Sequence, residues 1–485
     1  MRQSRLLPLI IATALFMENT DSTVISTSLP MIAQDLGADP IALKLALTSY
    51  LVSLAIFIPI SGWMADKYGA RTIFTAAIGV FMAGSLACAG ANSLEGFVLA
   101  RFVQGMGGAM MVPVGRLVLL RSIPRSEMVQ ALATLTIPAL IGPVVGPPLG
   151  GFITTYFDWR WIFFINIPIG ILGIVLSTLF VPNIKEADTP PLDFIGFLLS
   201  GMGFALLMLG LASGGRHLIP VEVSAGCVVT GAISLVLYVI HARRTPHPVL
   251  RLGLLKIATF RISVLGGSLF RIGVGAIPFL LPLMLQIGFG LNPLASGSLT
   301  FIAAVGALFM KTLAKRILEH TGFRRLLTIN AFIGAAFIAA TGLFTPSTPY
   351  WLIMLVLFIG GCFRSLQFTS LNAIGYADVT NRDMSYATSL SSALQQVALS
   401  VGVAFGAFVL EFTAQSHGSS TITAADFGPA FWAVAAVSSL AGFVFARLEP
   451  TAGAEMSGHQ AVERKVPSTG MGDGTTNMGD GVERR

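Results

Sequence analysis

Hydrophobic residues run through this chain in fourteen long stretches, and charge falls almost entirely between them. The stretches lie at roughly 8–36, 43–65, 72–92, 94–120, 128–155, 161–182, 192–213, 221–241, 262–288, 295–318, 326–345, 350–375, 385–412 and 427–447. Each approaches or exceeds the about 20 apolar residues that a helix needs to cross a bilayer. Unbroken runs of this kind predict helices, because backbone groups inside lipid must be satisfied within the segment itself. The clear exceptions to the charge pattern are Glu18 and Asp21 in the first stretch, Arg101 and Arg116 in the fourth, Arg271 in the ninth and Arg364 in the twelfth. Each charge at membrane depth costs about 2.5–3.5 kcal/mol, so it persists only facing protein or a water-filled cavity. Acids on one span and bases on three others predict a shared polar pathway across the membrane.

Composition agrees with the pattern. Of 485 residues, 54% are hydrophobic and 11% charged, with a mean hydropathy of +0.79, which excludes an ordinary soluble protein. The net charge of +7 would suit a nucleic-acid partner, but its distribution argues against one. With the amino terminus in the cytoplasm, the inner side receives Arg2, Arg5, Lys67, Arg71, Arg121, Arg125 and Lys185. It also receives Arg243, Arg244, Arg251, Lys256 and Arg261, then Lys315, Arg316, Arg324, Arg325, Arg382 and Arg447. The outer side receives only Lys44, Arg160 and Arg216. This asymmetry predicts a multi-pass protein of the inner (plasma) membrane with both termini cytoplasmic. The first apolar run is too long and too acidic for a cleavable signal. Cys88, Cys227 and Cys362 each lie inside a span, where small apolar packing explains them. No phosphate loop, metal cluster or nucleophile–base arrangement is present, which argues against an ATP-driven pump, an enzyme, a metal or a cofactor.

The spans divide unevenly. Residues 183–193 form a linker after span six, and 241–261 a basic one before span nine. Spans seven and eight, between them, have uncharged interiors and suit an inserted lipid-facing pair. Two six-helix bundles remain, 1–182 and 257–447, separated by 183–256 and followed by a tail at 448–485. The charged spans are then the first and fourth of each bundle, a recurrence expected of repeated bundles around a midplane site. The tail is polar and Gly-rich, with Met-Gly-Asp-Gly at 471–474 and 478–481, and is expected to be disordered in the cytoplasm.

Short motifs sharpen the picture. Span one carries Asp21-Ser-Thr23-Val24-Ile-Ser-Thr-Ser-Leu29-Pro30; Gly62-Trp-Met-Ala-Asp66-Lys67-Tyr-Gly69-Ala-Arg71 follows span two. Span four opens with Arg101-Phe-Val-Gln104-Gly105, and span five carries Gly142, Gly146-Pro147 and Gly150-Gly151. Span six begins Trp159-Arg160-Trp161, with Asn166 and Pro168 beyond. Together, over about residues 8–447, these resemble the major facilitator superfamily and, within it, the fourteen-span drug:proton antiporters of the multidrug efflux type. The resemblance extends to a bacterial subset with intramembrane arginines. It implies an all-α membrane fold and a proton-coupled antiporter that exports small organic molecules by alternating access. Its partners would be the substrate, protons and the bilayer, with the chain acting as a monomer. The loop after span two departs slightly, with Ala70 where a basic residue is usual, and its counterpart in the second half lacks the acid.

The resemblance assigns roles, and each has a plainer alternative. Asp66, with Lys67 and Arg71, would latch the cytoplasmic face, while Gly62 and Gly69 could simply permit a tight turn. The span-five glycines permit close helix approach, and in this family Gly146-Pro147 and Gly150-Gly151 accompany export. Glu18 and Asp21, three residues apart, share a helix face. Burial and repulsion favour holding a proton there and a nearby guanidinium favours releasing it, so the pair suits proton coupling, with Arg101 assisting; a static ion pair is the alternative. Arg116, Arg271 and Arg364 could hold an organic anion, because a guanidinium fork matches a carboxylate, or could neutralise the acids and helix ends. Asn19, Gln286 and Gln395 are further candidate substrate contacts or helix-joining groups. The alternatives in function are an inward symporter of an organic anion and a non-transporting membrane sensor or scaffold.

Overall fold

The computed structural model of the chain describes residues 2–37, 44–214, 220–416 and 422–459. Arg216 and the tail from 460 onward, with both Met-Gly-Asp-Gly copies, lie outside the described residues, as do the side-chain surroundings of Arg2, Arg5, Lys44, Pro147 and Gly151.

Among the described residues every regular element is helical. The chain begins with α1 (Arg2–Asp35), then α2 (Lys44–Phe57) and α3 (Ser61–Tyr68), which a short 3-10 turn joins into one rod. There follow α4 (Ala70–Ala89), α5 (Leu94–Ser122), α6 (Met128–Tyr156), α7 (Trp161–Phe164) and α8 (Asn166–Phe180). The middle contributes α9 (Phe194–Gly214) and α10 (Val221–Arg244). The rest comprises α11 (Ala258–Leu283), α12 (Pro293–Thr341), α13 (Tyr350–Ile374), α14 (Met384–Ser416), α15 (Phe427–Phe445) and α16 (Ala454–Ser457).

Eleven helices among the described residues are long and apolar enough to cross a membrane. That is fewer than the fourteen apolar runs. The helices α1 and α6 are not among the eleven, and the stretch Ala295–Thr341 counts once. Hydropathy predicts a break near residue 320, and there Gly322 leaves helical geometry (φ 68°, ψ 164°), so α12 is two helical segments meeting at a kink. Gly69, between α3 and α4, likewise has a φ of 97°. Both positions need a residue that tolerates positive φ, and each is followed two residues later by an arginine.

Helix packing gathers α1, α2, α4, α5, α6 and α8 in one group and α11–α15 in another. Close approach within the first group depends on glycine: a Cβ on Gly146 would stand 2.1 Å from Thr23 Oγ1, which lets α6 lie directly on α1. The pair α9–α10 packs on itself, with α9 also against α2 and α14. Much of α10 is exposed, including Val223, Val229, Ile233 and Val236, as a lipid-facing helix requires.

The apolar core has an asymmetry that bears on function. At the end of the molecule holding Asp66, buried side chains from both groups merge into one continuous cluster, from Ile11 and Phe74 to Leu318, Phe323 and Met384. At the opposite end they separate into one cluster around Phe97 and Trp159 and another around Ile353 and Phe427. The chain also stays folded beyond residue 448, where a disordered tail was expected. Helix α16 packs on α12, α6 and the turn Arg125–Glu127, and Met456 and Ser457 are buried. His459 Nδ1 donates to Glu319 O at 2.8 Å. Met456, 3% exposed, lines a cleft together with Met128, Tyr376 and Met384.

Candidate functional site

Asp21, on α1, is buried among hydrogen-bond donors. Arg101 Nη1 reaches its Oδ2 at 2.6 Å, Gln104 Nε2 its Oδ1 at 2.8 Å, and Asn166 Nδ2 the same Oδ1 at 2.9 Å. Ser85 Oγ ties the ring together by accepting from Gln104 at 2.8 Å and Asn166 at 3.2 Å. Arg101 lies over the Tyr50 ring, 4.4 Å from its centroid, and is only 1% exposed. Four helices, α1, α4, α5 and α8, thus converge on one carboxylate. Glu18, one turn earlier, is half-buried, and its Oε2 is buried without a hydrogen-bond partner. The arrangement holds one acid firmly and leaves a carboxylate oxygen of the other without a hydrogen bond.

The second group of polar residues joins the two bundles. Arg121 Nη1 donates to Asp66 Oδ1 at 3.0 Å, and Arg121 Nη2 pairs with Glu186 at 3.2 Å. The same guanidinium donates through Nε and Nη2 to Asn381 O at 3.2 and 3.0 Å. From the other side, Ser385 Oγ donates to Asp66 Oδ2, while Ser389 Oγ accepts from Gly62 N at 2.9 Å and bonds Ser61 Oγ at 3.0 Å. Arg125 donates to Ala377 O and Val379 O. Asp66 was expected to work with its neighbours Lys67 and Arg71. Instead Lys67 is exposed and Arg71 turns to Thr178 O at 3.3 Å; the partner is Arg121, brought over from α5. Among the described residues, hydrogen bonds between the bundles fall at this end, where the apolar core is also continuous.

The third group is cationic. Arg116 Nη1 donates to Tyr376 Oη at 3.3 Å. Arg271 Nη2 donates to Asn372 Oδ1 at 3.4 Å and lies over Phe368, 5.5 Å from the ring centroid. Lys311, only 4% exposed, donates to Thr369 Oγ1 at 2.6 Å. Arg364 sits half-buried on α13.

A family model described as Major Facilitator Superfamily matches residues 11–403. The chain belongs to that superfamily. It is 37% identical over 443 residues to "Putative multidrug resistance protein MdtD" of Escherichia coli O9:H4 (strain HS), covering 90% of this chain and 93% of the relative. The same figures hold for the MdtD of Shigella boydii serotype 18. Among solved structures, the human organic anion transporter MFSD10 (TETRAN) superposes with a TM-score of 0.65 at 13% identity, over 91% of this chain and 99% of that one. The proton:xylose symporter XylE, bound to 6-bromo-6-deoxy-D-glucose, does so with 0.64 at 14%, over 93% and 98%. At such identities these two likenesses speak for the fold alone. The protein is therefore a multi-pass membrane transporter of the major facilitator type.

Several residues singled out by sequence meet in this fold, and others do not. Asp21 and Arg101 pair directly; Glu18 stands beside them. Arg116, fifteen residues along α5, serves a different site, since that spacing is roughly 22 Å of helix. Asn19 and Gln395 turn back to their own helices, donating to Leu15 O at 2.7 Å and Ser391 Oγ at 2.8 Å. Gln286 is exposed in the π-helical turn that ends α11, beyond Pro278 and Pro282. Asn166 and Arg121 entered the sequence reading only as part of a motif and as an inner-side charge, and Ser85 and Lys311 carry little sequence signal. Lys311 lies inside the tenth apolar run but only four and five residues before Lys315 and Arg316, so hydropathy merges it with the loop charges.

Proposed function

We propose that this transporter is a proton-coupled antiporter of the fourteen-span drug-exporter type, moving small organic molecules out across a bacterial inner membrane. The relationship to MdtD and the antiporter pattern of α6 support this direction. Fourteen crossings follow if α1 and α6 span the bilayer and α12 divides at Gly322. The two bundles are then 1–182 and 257–447, with α9–α10 as the inserted pair. The distribution of basic residues supports a cytoplasmic Asp66 end and cytoplasmic termini. The state described is accordingly closed on the cytoplasmic side, with its working unit one chain.

The observation that carries the reading is the Asp21 carboxylate, held by Arg101, Gln104 and Asn166 inside the amino-terminal bundle. In the closed state a proton arriving from outside would be taken up by Glu18 and passed to Asp21. Neutralising Asp21 weakens its hold on Arg101, freeing α5 to shift relative to α1. Because α5 also carries Arg116 and Arg121, that shift reaches the bundle interface and the cytoplasmic latch. Opening inward lets the proton leave and cytoplasmic substrate enter, and re-formation of the Asp21–Arg101 pair resets the bundle.

Inverted vesicles made acidic inside provide the test. Uptake of ethidium or of benzene-1,3,5-tricarboxylate should dissipate the gradient in the wild type. Asp21→Asn should abolish that dissipation while leaving the protein folded and able to equilibrate substrate. Normal proton exchange by Asp21→Asn would refute the assignment. Substrate and protons entering together would replace antiport with symport.

A further inference from the structure

We propose that the cytoplasmic half of the transport pathway holds a binding site for an organic anion with two or more carboxylates, built by Arg271 and Arg364 and completed by Arg116 and Lys311. The proposal deepens the transport reading above and takes it as its premise. What sets these four cations apart is their partners. The other deeply buried cations have acids: Arg101 has Asp21, and Arg121 has Asp66 and Glu186. Arg116, Arg271 and Lys311 have only a phenol, an amide and a hydroxyl. Arg271 Nε is buried with no hydrogen-bond partner at all. Among the described residues no carboxylate lies within ion-pair distance of any of the four.

Their placement brings them toward one another. On α13, Arg364, Phe368 and Asn372 are spaced by four residues and so line one stripe of the helix. Arg271, from α11, lies across the lower part of that stripe, over Phe368 and bonded to Asn372. Lys311, from α12, reaches the adjacent Thr369. Arg116 comes from the opposite bundle to Tyr376, four residues beyond the Asn372 that Arg271 bonds. A cluster of like charges at this depth lacks the counter-charge that burial demands. A substrate supplying it would satisfy several groups at once. Carboxylates fit because a guanidinium offers two parallel donors to their two oxygens. The rings of Phe368 and Tyr376 give the carbon skeleton an apolar surface. A ligand bridging Arg116 and Arg271 would also draw the two bundles together, coupling occupancy to closure.

The test uses the purified full chain in nanodiscs, with calorimetric titration of glutarate, benzene-1,3,5-tricarboxylate, inorganic phosphate and tetraphenylphosphonium. At least one carboxylate should bind, and more tightly than phosphate. Arg271→Gln and Arg364→Gln should each weaken it by about 10- to 100-fold, the loss expected for a charged hydrogen-bonded contact. Retained size-exclusion profile and melting temperature would separate loss of the site from loss of the fold. Should Arg271→Gln not fold, Arg364→Lys and Lys311→Met decide: both should weaken carboxylate binding. Binding of neither carboxylate, phosphate binding as tightly as either, or carboxylate affinity unchanged in the arginine variants overturns the proposal. If tetraphenylphosphonium is exchanged for protons while no carboxylate binds, the anion site falls and antiport stands. If a carboxylate binds at these arginines but no proton exchange accompanies it, antiport falls and the site stands.

Discussion

Removing Arg121 should unlatch the cytoplasmic face. Its side chain is 4% exposed, pairs with Asp66 at 3.0 Å and Glu186 at 3.2 Å, and donates twice to Asn381 O. Arg121→Ala would strand Asp66, itself largely buried, with the Ser385 hydroxyl as its remaining side-chain donor. Asp66 and Arg121 share a bundle, so their pair would outlast separation of the bundles; what the proposed inward opening breaks is the charged hydrogen bonding of Arg121 to Asn381 O, worth about 1.5–3 kcal/mol. At 1.4 kcal/mol per tenfold, the closed-to-open ratio would fall by roughly 10- to 100-fold. Spin labels at Ser126→Cys and Arg382→Cys, both exposed positions on opposite bundles, would report the change by pulsed electron resonance. The three native cysteines would first be replaced by serine or alanine. A longer, broader distance distribution is expected for Arg121→Ala, with a smaller effect for Arg121→Lys, which keeps the charge but loses the fork. An unchanged distribution in the alanine variant would show that the latch does not set the equilibrium.

Three more outcomes follow from the same geometry. Gly62→Ala would place a Cβ 2.5 Å from Ser385 O and 2.6 Å from Ser389 Oγ, so it should also favour the inward-open state, seen as faster thiol labelling of Ser389→Cys from the cytoplasmic side. Gly146→Ala would drive a methyl into Thr23, and overpacking of this kind costs about 1–3 kcal/mol; the melting temperature should drop, and pairing with Thr23→Ala should recover only part of it, because Thr23 Cβ stays 2.9 Å from the new methyl. Gln104→Leu removes a donor to Asp21 and an acceptor from Arg101, so gradient-driven exchange should slow by about tenfold or more, while Gln104→Glu should impair it differently by competing for Arg101.

Much of this organisation was legible in the chain because lipid makes charge expensive. Asp21 and Arg101 stood out on that ground alone, and they turned out to be bonded. Spans seven and eight stood out as uncharged stretches between two linkers; α9 and α10 pack on each other, and α9 also packs on α2 and α14. What hydropathy could not supply was partnership. Asp66 has basic residues one and five positions away, yet it bonds an arginine fifty-five residues later, because α3 and α5 end together. Lys311 was hidden by its proximity to loop lysines and arginines. The break between the tenth and eleventh apolar runs was legible in the charged stretch around Gly322, where the structure has a positive-φ kink between two helical segments. Asn166 and Ser85 acquire meaning only once four helices converge on a carboxylate.

The carboxy-terminal bundle meets Arg121 and Arg125 with main-chain oxygens, those of Ala377, Val379 and Asn381. Peptide oxygens are the same whatever side chain they accompany. Mutational drift at the exposed Asn381 should therefore be well tolerated so long as the backbone path is kept, whereas Ala377 and Val379 are also packed in the core and Asp378 holds Thr259. A saturation library over both segments would be expected to show that imbalance, with a permissive Asn381 facing an intolerant pair of arginine donors.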